Sequence, residues 1–78
     1  MKVLITLPVT KTVDTETRWV AQDRSGMWFA YSTRPRPDKK AGQWYQRSGT
    51  CNEIVKGEPN PDWEFTLINI KKYKAVTE

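Results

Sequence analysis

The sequence contains no histidine and only one cysteine, Cys51. One cysteine cannot form an intrachain disulfide, and a single thiol without histidine cannot build a zinc site of the usual thiolate and imidazole type. General acid–base catalysis most often uses histidine, and Ser–His or Cys–His arrangements are ruled out with it. No glycine-rich loop precedes a Lys-Ser or Lys-Thr pair, which excludes a phosphate cradle of the P-loop type. We therefore expect a protein that is not an enzyme and that uses no metal or cofactor.

Long apolar runs are also missing. The apolar stretch over residues 3–7 ends at Pro8 and is too short for a signal peptide or a membrane span. We expect no membrane association and a cytoplasmic location, with which a single unpaired cysteine agrees. The β-branched residues in this stretch predict a strand. Because Pro8 cannot donate to a ladder, we expect this strand at a sheet edge.

Aromatic residues are abundant instead, with 4 Trp, 3 Tyr and 2 Phe in 78 residues. A chain of this length forms one domain with a thin core, and each large ring can bury roughly 150–250 Å². We expect a single small β-rich domain over residues 1–78, with residues 1–2 and 75–78 frayed. The net charge of +4 favours anionic partners.

The clearest local pattern is a β-hairpin. Two aromatic and β-branched runs, residues 18–22 and 27–32, flank the turn sequence Asp23-Arg24-Ser25-Gly26. Aspartate at the first turn position can accept a bond from the backbone two residues on, and glycine at the last position tolerates positive φ. Strands on both sides of such a turn pair antiparallel.

Two proline clusters divide the remainder of the chain. Arg34-Pro35-Arg36-Pro37 predicts a stiff, basic loop rather than a helix or central strand. Residues 43–47 and 51–55 predict two further short strands. Residues 60–62 are typical of a helix start, whereas residues 65–70 favour a strand. The predicted fold class is mainly β: a small antiparallel sheet or open barrel of four to six short strands, with one short helix as an option in the C-terminal third.

Cations stand beside aromatic residues at three places in the chain, and a basic loop lies between the first two. Exposed rings and cations suit both base stacking and protein hot spots. In the adjacent pairs Trp28/Phe29 and Trp44/Tyr45, one member is expected to face outward or to lie under a loop. The candidate binding residues are Arg34, Arg36, Lys39, Lys40, Trp44 and Tyr45, followed by Lys71, Lys72 and Tyr73.

The layout W-x-A-x-D-x-x-G from Trp19 to Gly26, then an aromatic strand, a proline, Trp44 and Asn60-Pro61-Asp62-Trp63, resembles small accessory proteins of tailed bacteriophages and prophages. The resemblance covers roughly residues 18–70. It implies binding of a host factor or inhibition of a host defence, within the bacterial cytoplasm. It supplies no active-site residues.

Three functions stay open at this point. The first is a phage-type accessory protein that binds a host protein and inhibits it by occlusion. The second is a nonspecific single-stranded nucleic-acid binder that uses the basic loop and exposed aromatic residues. The third is a structural protein that forms homo-oligomers through an exposed sheet edge. The protein itself is expected to be a monomer or a small homo-oligomer.

Overall fold

A computed structural model describes residues 2–6, 10–14, 16–70 and 75–76. No helix formed by these residues reaches the length and apolarity needed to cross a membrane. A 3-10 turn spans Trp63–Phe65. The strands are β1 Lys2–Thr6, β2 Thr10–Asp14, β3 Trp19–Gln22, β4 Met27–Tyr31, β5 Arg36–Asp38, β6 Gln43–Tyr45, β7 Cys51–Lys56, β8 Ile68–Asn69 and β9 Ala75–Val76.

The strands form three antiparallel sheets. Their orders are β7-β4-β3-β8, β5-β6 and β2-β1-β9. The prediction of a mainly antiparallel β fold is confirmed: six strands make up the four-stranded and two-stranded sheets, and no barrel closes in the described part of the chain. The short helix predicted near the C-terminal third is the single turn at Trp63–Phe65.

The hairpin predicted around Gly26 is confirmed. β3 pairs with β4 in the register that places Gln22 opposite Trp28. The turn closes through backbone bonds from Asp23 N to Met27 O and from Gly26 N to Asp23 O, both 2.9 Å. Gly26 has a φ of 102°, and a Cβ there would collide with the backbone of Gly57. Both its conformation and its close neighbour therefore require glycine.

The first strand departs from its predicted position. We expected residues 3–7 at a sheet edge because of Pro8, but β1 lies between β2 and β9. The strand ends at Thr6, before the proline, so the missing N–H does not enter the ladder. The predicted fraying at the chain ends falls partly on Met1, Thr77 and Glu78, which lie outside the described residues. The other terminal positions are in strands, because Lys2 pairs with Val76 and Val3 with Ala75.

The sheet built on the hairpin buries both of its faces. Val20 and Ala30 point to one side, and Ala21 and Tyr31 point to the other, as expected for alternating side chains in a strand pair. The first side packs against Val13 of β2. The second side packs against aromatic residues from β6 and the 3-10 turn, which are Trp44 and Trp63. The four-stranded sheet is therefore the central layer of a thin core.

One buried polar side chain, Gln22 at the end of β3, connects most of these pieces. Its Nε2 donates to Gly26 O at 3.0 Å and to Glu58 O at 3.1 Å, and its Oε1 accepts from Asn60 Nδ2 at 3.0 Å. Its backbone N–H donates to Thr66 Oγ1 at 2.8 Å. Because Gln22 is only 5% exposed, water cannot replace these bonds readily. The hairpin turn, residues 57–60 and the end of the 3-10 turn are therefore fixed to one another.

Replacing Gln22 tests this connection. Gln22→Ala leaves the Glu58 carbonyl and the Asn60 amide without the bond to Gln22, and it takes from Gly26 O one of its two donors, since the N–H of Gly57 remains. We therefore expect a loss of about 2–3 kcal/mol in the free energy of unfolding. Gln43→Ala, which truncates an exposed glutamine on β6, serves as the matched control and should change it by less than about 0.5 kcal/mol. Urea unfolding followed by tryptophan fluorescence measures both. Equal losses in the two variants would contradict the role given to Gln22.

Candidate binding surface

The two-stranded sheet of β5 and β6, which we call the ribbon, is attached to the hairpin by hydrogen bonds that Trp44 donates. Trp44 N donates to Asp23 Oδ1 and Trp44 Nε1 donates to Gln22 O, both at 2.9 Å. The Trp44 ring meets the Trp63 ring edge-on, with 5.8 Å between centroids. Edge-on packing is a favoured arrangement of aromatic pairs. The side chain of Trp44 thus positions the ribbon from beneath.

Pro37 is compatible with the ribbon because of this same contact. We predicted a loop for residues 34–37, but Arg36–Asp38 forms β5, with Pro37 opposite Trp44. The N–H of Trp44 points away from β5, toward Asp23. Pro37 and Trp44 therefore form a non-hydrogen-bonded pair. An N–H at position 37 would not point toward β6, so the proline removes no hydrogen bond from the ladder.

The turn that joins β5 to β6 is fixed to the hairpin by Arg24. Arg24 N donates to Gly42 O at 2.9 Å, and its guanidinium donates to Lys39 O at 3.0 Å while lying over the Trp63 ring. Within the turn, the Asp38 carboxylate accepts the N–H of Lys40 at 3.1 Å. The backbone of this basic turn is therefore defined, and its two lysine side chains are exposed.

Around the ribbon lies an exposed cationic surface with one ring in it. Tyr45 is 48% exposed and pairs across the strands with Arg36. It lines a pocket of about 210 Å³ with three arginines and a second pocket of about 390 Å³ with two lysines and Asp38. We call this surface the basic face; its members are Arg34, Arg36, Lys39, Lys40, Tyr45 and Arg47.

A larger groove adjoins the basic face. It has a volume of about 510 Å³ and is open to solvent. Its cationic members, Arg34 and Arg36, belong also to the basic face. Pro37, Leu67 and Trp44 give it apolar surface, and Glu64 contributes a carboxylate. We call it the Arg-Pro groove; it is lined by Arg34, Pro35, Arg36, Pro37, Trp44, Glu64 and Leu67.

The structure brings most of the predicted binding residues together. Arg34, Arg36, Lys39, Lys40 and Tyr45 all lie exposed on the basic face.

Trp44 is a correction to that set. It was expected on the binding surface, but it is 7% exposed and bonded to Gln22 and Asp23, so its ring supports the surface rather than offering a face to a ligand. The expectation that one of Trp44 and Tyr45 faces outward is met by Tyr45. Lys71, Lys72 and Tyr73 lie outside the described residues.

Sequence reasoning missed several members of these pockets. Arg47, Thr33, Gln46 and Ser48 join Arg34, Arg36 and Tyr45 in the smallest of the three pockets. Arg47 stands two residues after Tyr45, a spacing that could have placed both side chains on one side of the ribbon. Glu64 in the Arg-Pro groove carries no local signal, because it reaches the groove only through the packing of Trp63 on Trp44.

The exposed thiol of Cys51 lies on β7 of the four-stranded sheet, opposite buried Tyr31 of β4. Partial desolvation raises the pKa of Cys51, and the charges of Asp23 and Glu53 act in the same direction against a hydrogen bond with Tyr31 that lowers it. Burial also raises the pKa of Tyr31. A raised thiol pKa reduces the thiolate fraction at neutral pH, which disfavours Cys51 as a nucleophile.

The carboxyl of Asp23 gives the support of the ribbon a pH dependence. Burial raises its pKa above the ordinary value of 3.8, and the hydrogen bond from Trp44 N opposes this rise. Between 3.8 and the raised value, the folded protein holds more protons than the unfolded chain. The contribution of Asp23 to the free energy of unfolding therefore falls as the pH rises through that window.

Two substitutions separate the charge of Asp23 from its hydrogen bond. Asp23→Asn keeps an acceptor for Trp44 N, so we expect it to be at least as stable as wild type at pH 7 and to lack the decline above pH 3.8. Asp23→Ala removes the acceptor and should cost about 1–3 kcal/mol. Urea unfolding at a series of pH values measures both. An asparagine variant as unstable as the alanine variant, or an unchanged pH profile, would contradict this account.

Comparison with known proteins gives no relative for this chain: no protein-family model, no curated protein and no solved structure matches it. The resemblance to phage accessory proteins stays a prediction. The residues that carry it, Trp19, Asp23, Gly26, Asn60 and Trp63, all lie in or against the junction between the hairpin, the ribbon and the 3-10 turn.

Proposed function

We propose that the protein is a non-enzymatic binding module whose basic face takes an acidic segment of a partner protein. The observation that supports this is the placement of Tyr45, an exposed ring that lines both a pocket with three arginines and a pocket with two lysines. Tyrosine and arginine dominate protein hot spots, because they combine a large contact area with directional bonds. Arginine also binds carboxylates through two parallel N–H donors.

The Arg-Pro groove favours a protein over a nucleic acid as the partner. Its surface combines apolar contacts from Pro37 and Leu67 with the cations Arg34 and Arg36 and the carboxylate Glu64. A protein segment can match such a mixture with apolar, acidic and basic side chains. A phosphodiester backbone carries only negative charge and has no cationic group to pair with Glu64. Charge complementarity across the two surfaces would also set the partner's orientation.

The arrangement of the ribbon suits rigid docking. Pro35 and Pro37 restrict the backbone of the cationic segment, and Pro35 is fully buried. The Arg34 guanidinium lies 5.1 Å from the centroid of the Trp19 ring. A surface held in place in this way loses little conformational entropy when a partner binds.

The proposed setting is the cytoplasm of a bacterial host, where a phage-type accessory protein would cover a working surface of a host protein. This part of the proposal is supported by the resemblance of the hairpin and the Asn60-Pro61-Asp62-Trp63 segment. An identified host partner would have to present an acidic segment to the basic face.

Single-stranded nucleic acid is the second candidate. Tyr45 could stack on one base while the flanking cations bind the adjacent phosphates. A single-stranded nucleic-acid site differs from an acidic-peptide site in its salt dependence, with an affinity that falls steeply as phosphates release counterions.

Homo-oligomerisation, the third candidate, stays a prediction that size-exclusion chromatography tests directly.

The test uses a fluorescein-labelled decapeptide of glutamates with one central leucine, measured by fluorescence anisotropy at low and near-physiological salt. We expect saturable binding that Arg34→Ala with Arg36→Ala weakens about tenfold, which corresponds to roughly 1.4 kcal/mol. Tyr45→Ala should weaken it as well, through loss of the ring. The matched control is Lys56→Ala, which removes an exposed cation on β7, away from the basic face.

Three outcomes would overturn the proposal. One is unchanged peptide affinity in the double variant. Another is a thymidine decanucleotide that binds more tightly than the peptide and loses affinity steeply with salt. The third is the absence of saturable peptide binding. Urea unfolding of the double variant checks the fold, since loss of the stack between Arg34 and Trp19 should cost only about 0.5–1 kcal/mol.

A further inference from the structure

The smaller of the two pockets on the basic face is lined largely by hydrogen-bond donors. Its volume is about 210 Å³, and three of its seven residues are arginines. The remaining members carry hydroxyl or amide groups. We call it the three-arginine pocket; it is lined by Thr33, Arg34, Arg36, Tyr45, Gln46, Arg47 and Ser48.

The three guanidinium groups are available to a ligand. In the part of the chain that the structure describes, neither Arg36 nor Arg47 forms an ion pair or a ring contact, and Arg34 contacts only the Trp19 ring. Arginine stays charged at any physiological pH. No carboxylate lines the pocket. Three like charges around so small a volume repel one another, and a bound anion would offset this repulsion.

Thr33 and Gln46 bond each other within the pocket. Thr33 Oγ1 lies 3.0 Å from Gln46 Oε1 and 2.7 Å from Ser48 O, and Thr33 N donates to the same Gln46 oxygen at 3.4 Å. The amide oxygen of Gln46 is thus occupied, which leaves its NH2 group as the part that can bond a ligand. The hydroxyl of Tyr45 adds a further donor on the rim.

We infer that the three-arginine pocket binds a phosphoryl group, carried on a phosphorylated side chain of the protein partner. The inference rests on the proposed function and names the chemistry of one group in the acidic segment. A phosphorylated side chain carries a charge of about −1.5 to −2 and three acceptor oxygens, whereas a carboxylate carries one charge and two oxygens. Clusters of arginines are a recurring means of recognising phosphorylated side chains.

The experiment compares two fluorescein-labelled decapeptides that differ at one position. Both consist of glutamates with one central leucine, and in one of them the residue after the leucine is phosphoserine instead of glutamate. We expect the phosphoserine peptide to bind about tenfold more tightly. Arg47→Gln should abolish this gain, so that the variant binds the two peptides with equal affinity. Lys56→Gln should preserve the gain, since Lys56 lies outside the pocket.

Two competitors distinguish the source of the phosphoryl group. Inorganic phosphate should displace the phosphoserine peptide only at far higher concentration, because it lacks the contacts of the peptide to Tyr45 and the lysines. Displacement at equal concentration by inorganic phosphate, or by a thymidine decanucleotide, would overturn the assignment to a phosphorylated protein. Arg36→Gln provides a second variant, and urea unfolding of both confirms that the fold is retained.

The results separate the two proposals. A glutamate peptide that binds as well as the phosphoserine peptide would overturn the phosphoryl site and leave the acidic-segment proposal standing. A gain from phosphoserine that survives both Arg47→Gln and Arg36→Gln would also overturn it, because the gain would then arise elsewhere. If neither peptide binds, the proposed function itself fails.

Discussion

The hydrogen bonds of Gln22 join the hairpin turn, residues 58–60 and Trp44 at a single buried residue. Its side-chain amide reaches the hairpin turn at Gly26 and the segment at Glu58 and Asn60, and its backbone carbonyl accepts the indole N–H of Trp44. A domain of this size cannot rely on a large apolar core. A fully satisfied buried amide supplies directional constraint instead, provided that every partner stays in place.

The residues at the junction around Gln22 stabilise the fold, whereas the residues of the basic face are available for binding. Trp44 and Trp63 pack beneath the ribbon, where their rings are buried, while Tyr45 and the arginines project from its outer side. The side chains of Tyr45 and Arg47 form none of the hydrogen bonds that fasten the ribbon to the hairpin. Binding residues can therefore lie on a defined backbone without having to stabilise it themselves.

Local chemistry made part of this structure predictable. The turn follows from Gly26 and the strand-forming runs on both sides of it, and the hairpin register follows from the turn. The Asp23 carboxylate was expected to bond within its own turn but accepts the N–H of Trp44 instead. The burial of Trp44 does not follow in this way. It depends on Trp63, which lies 19 positions further along the chain, and single-sequence patterns carry no signal for such a contact.

The cationic cluster was predictable in its composition but not in its geometry. Arg34 and Arg36 stand out in the sequence because prolines separate them, whereas Arg47 joins them only after β5 and β6 pair. The prediction of a loop at Pro37 failed for a related reason. A proline is tolerated in a strand where an N–H at its position would point away from the paired strand. The register with the partner strand determines which positions these are.

The alternation along β5 has a consequence for how the molecule behaves at high concentration. Because Pro37 occupies a non-hydrogen-bonded position, its backbone faces away from β6. Pro37 has no N–H to offer, so the outer edge of β5 presents a carbonyl group at this position without the donor that a foreign strand would need for a full ladder. The proline that restricts the backbone of β5 thereby also protects the ribbon against edge-to-edge aggregation, which allows an exposed ring to be displayed next to it.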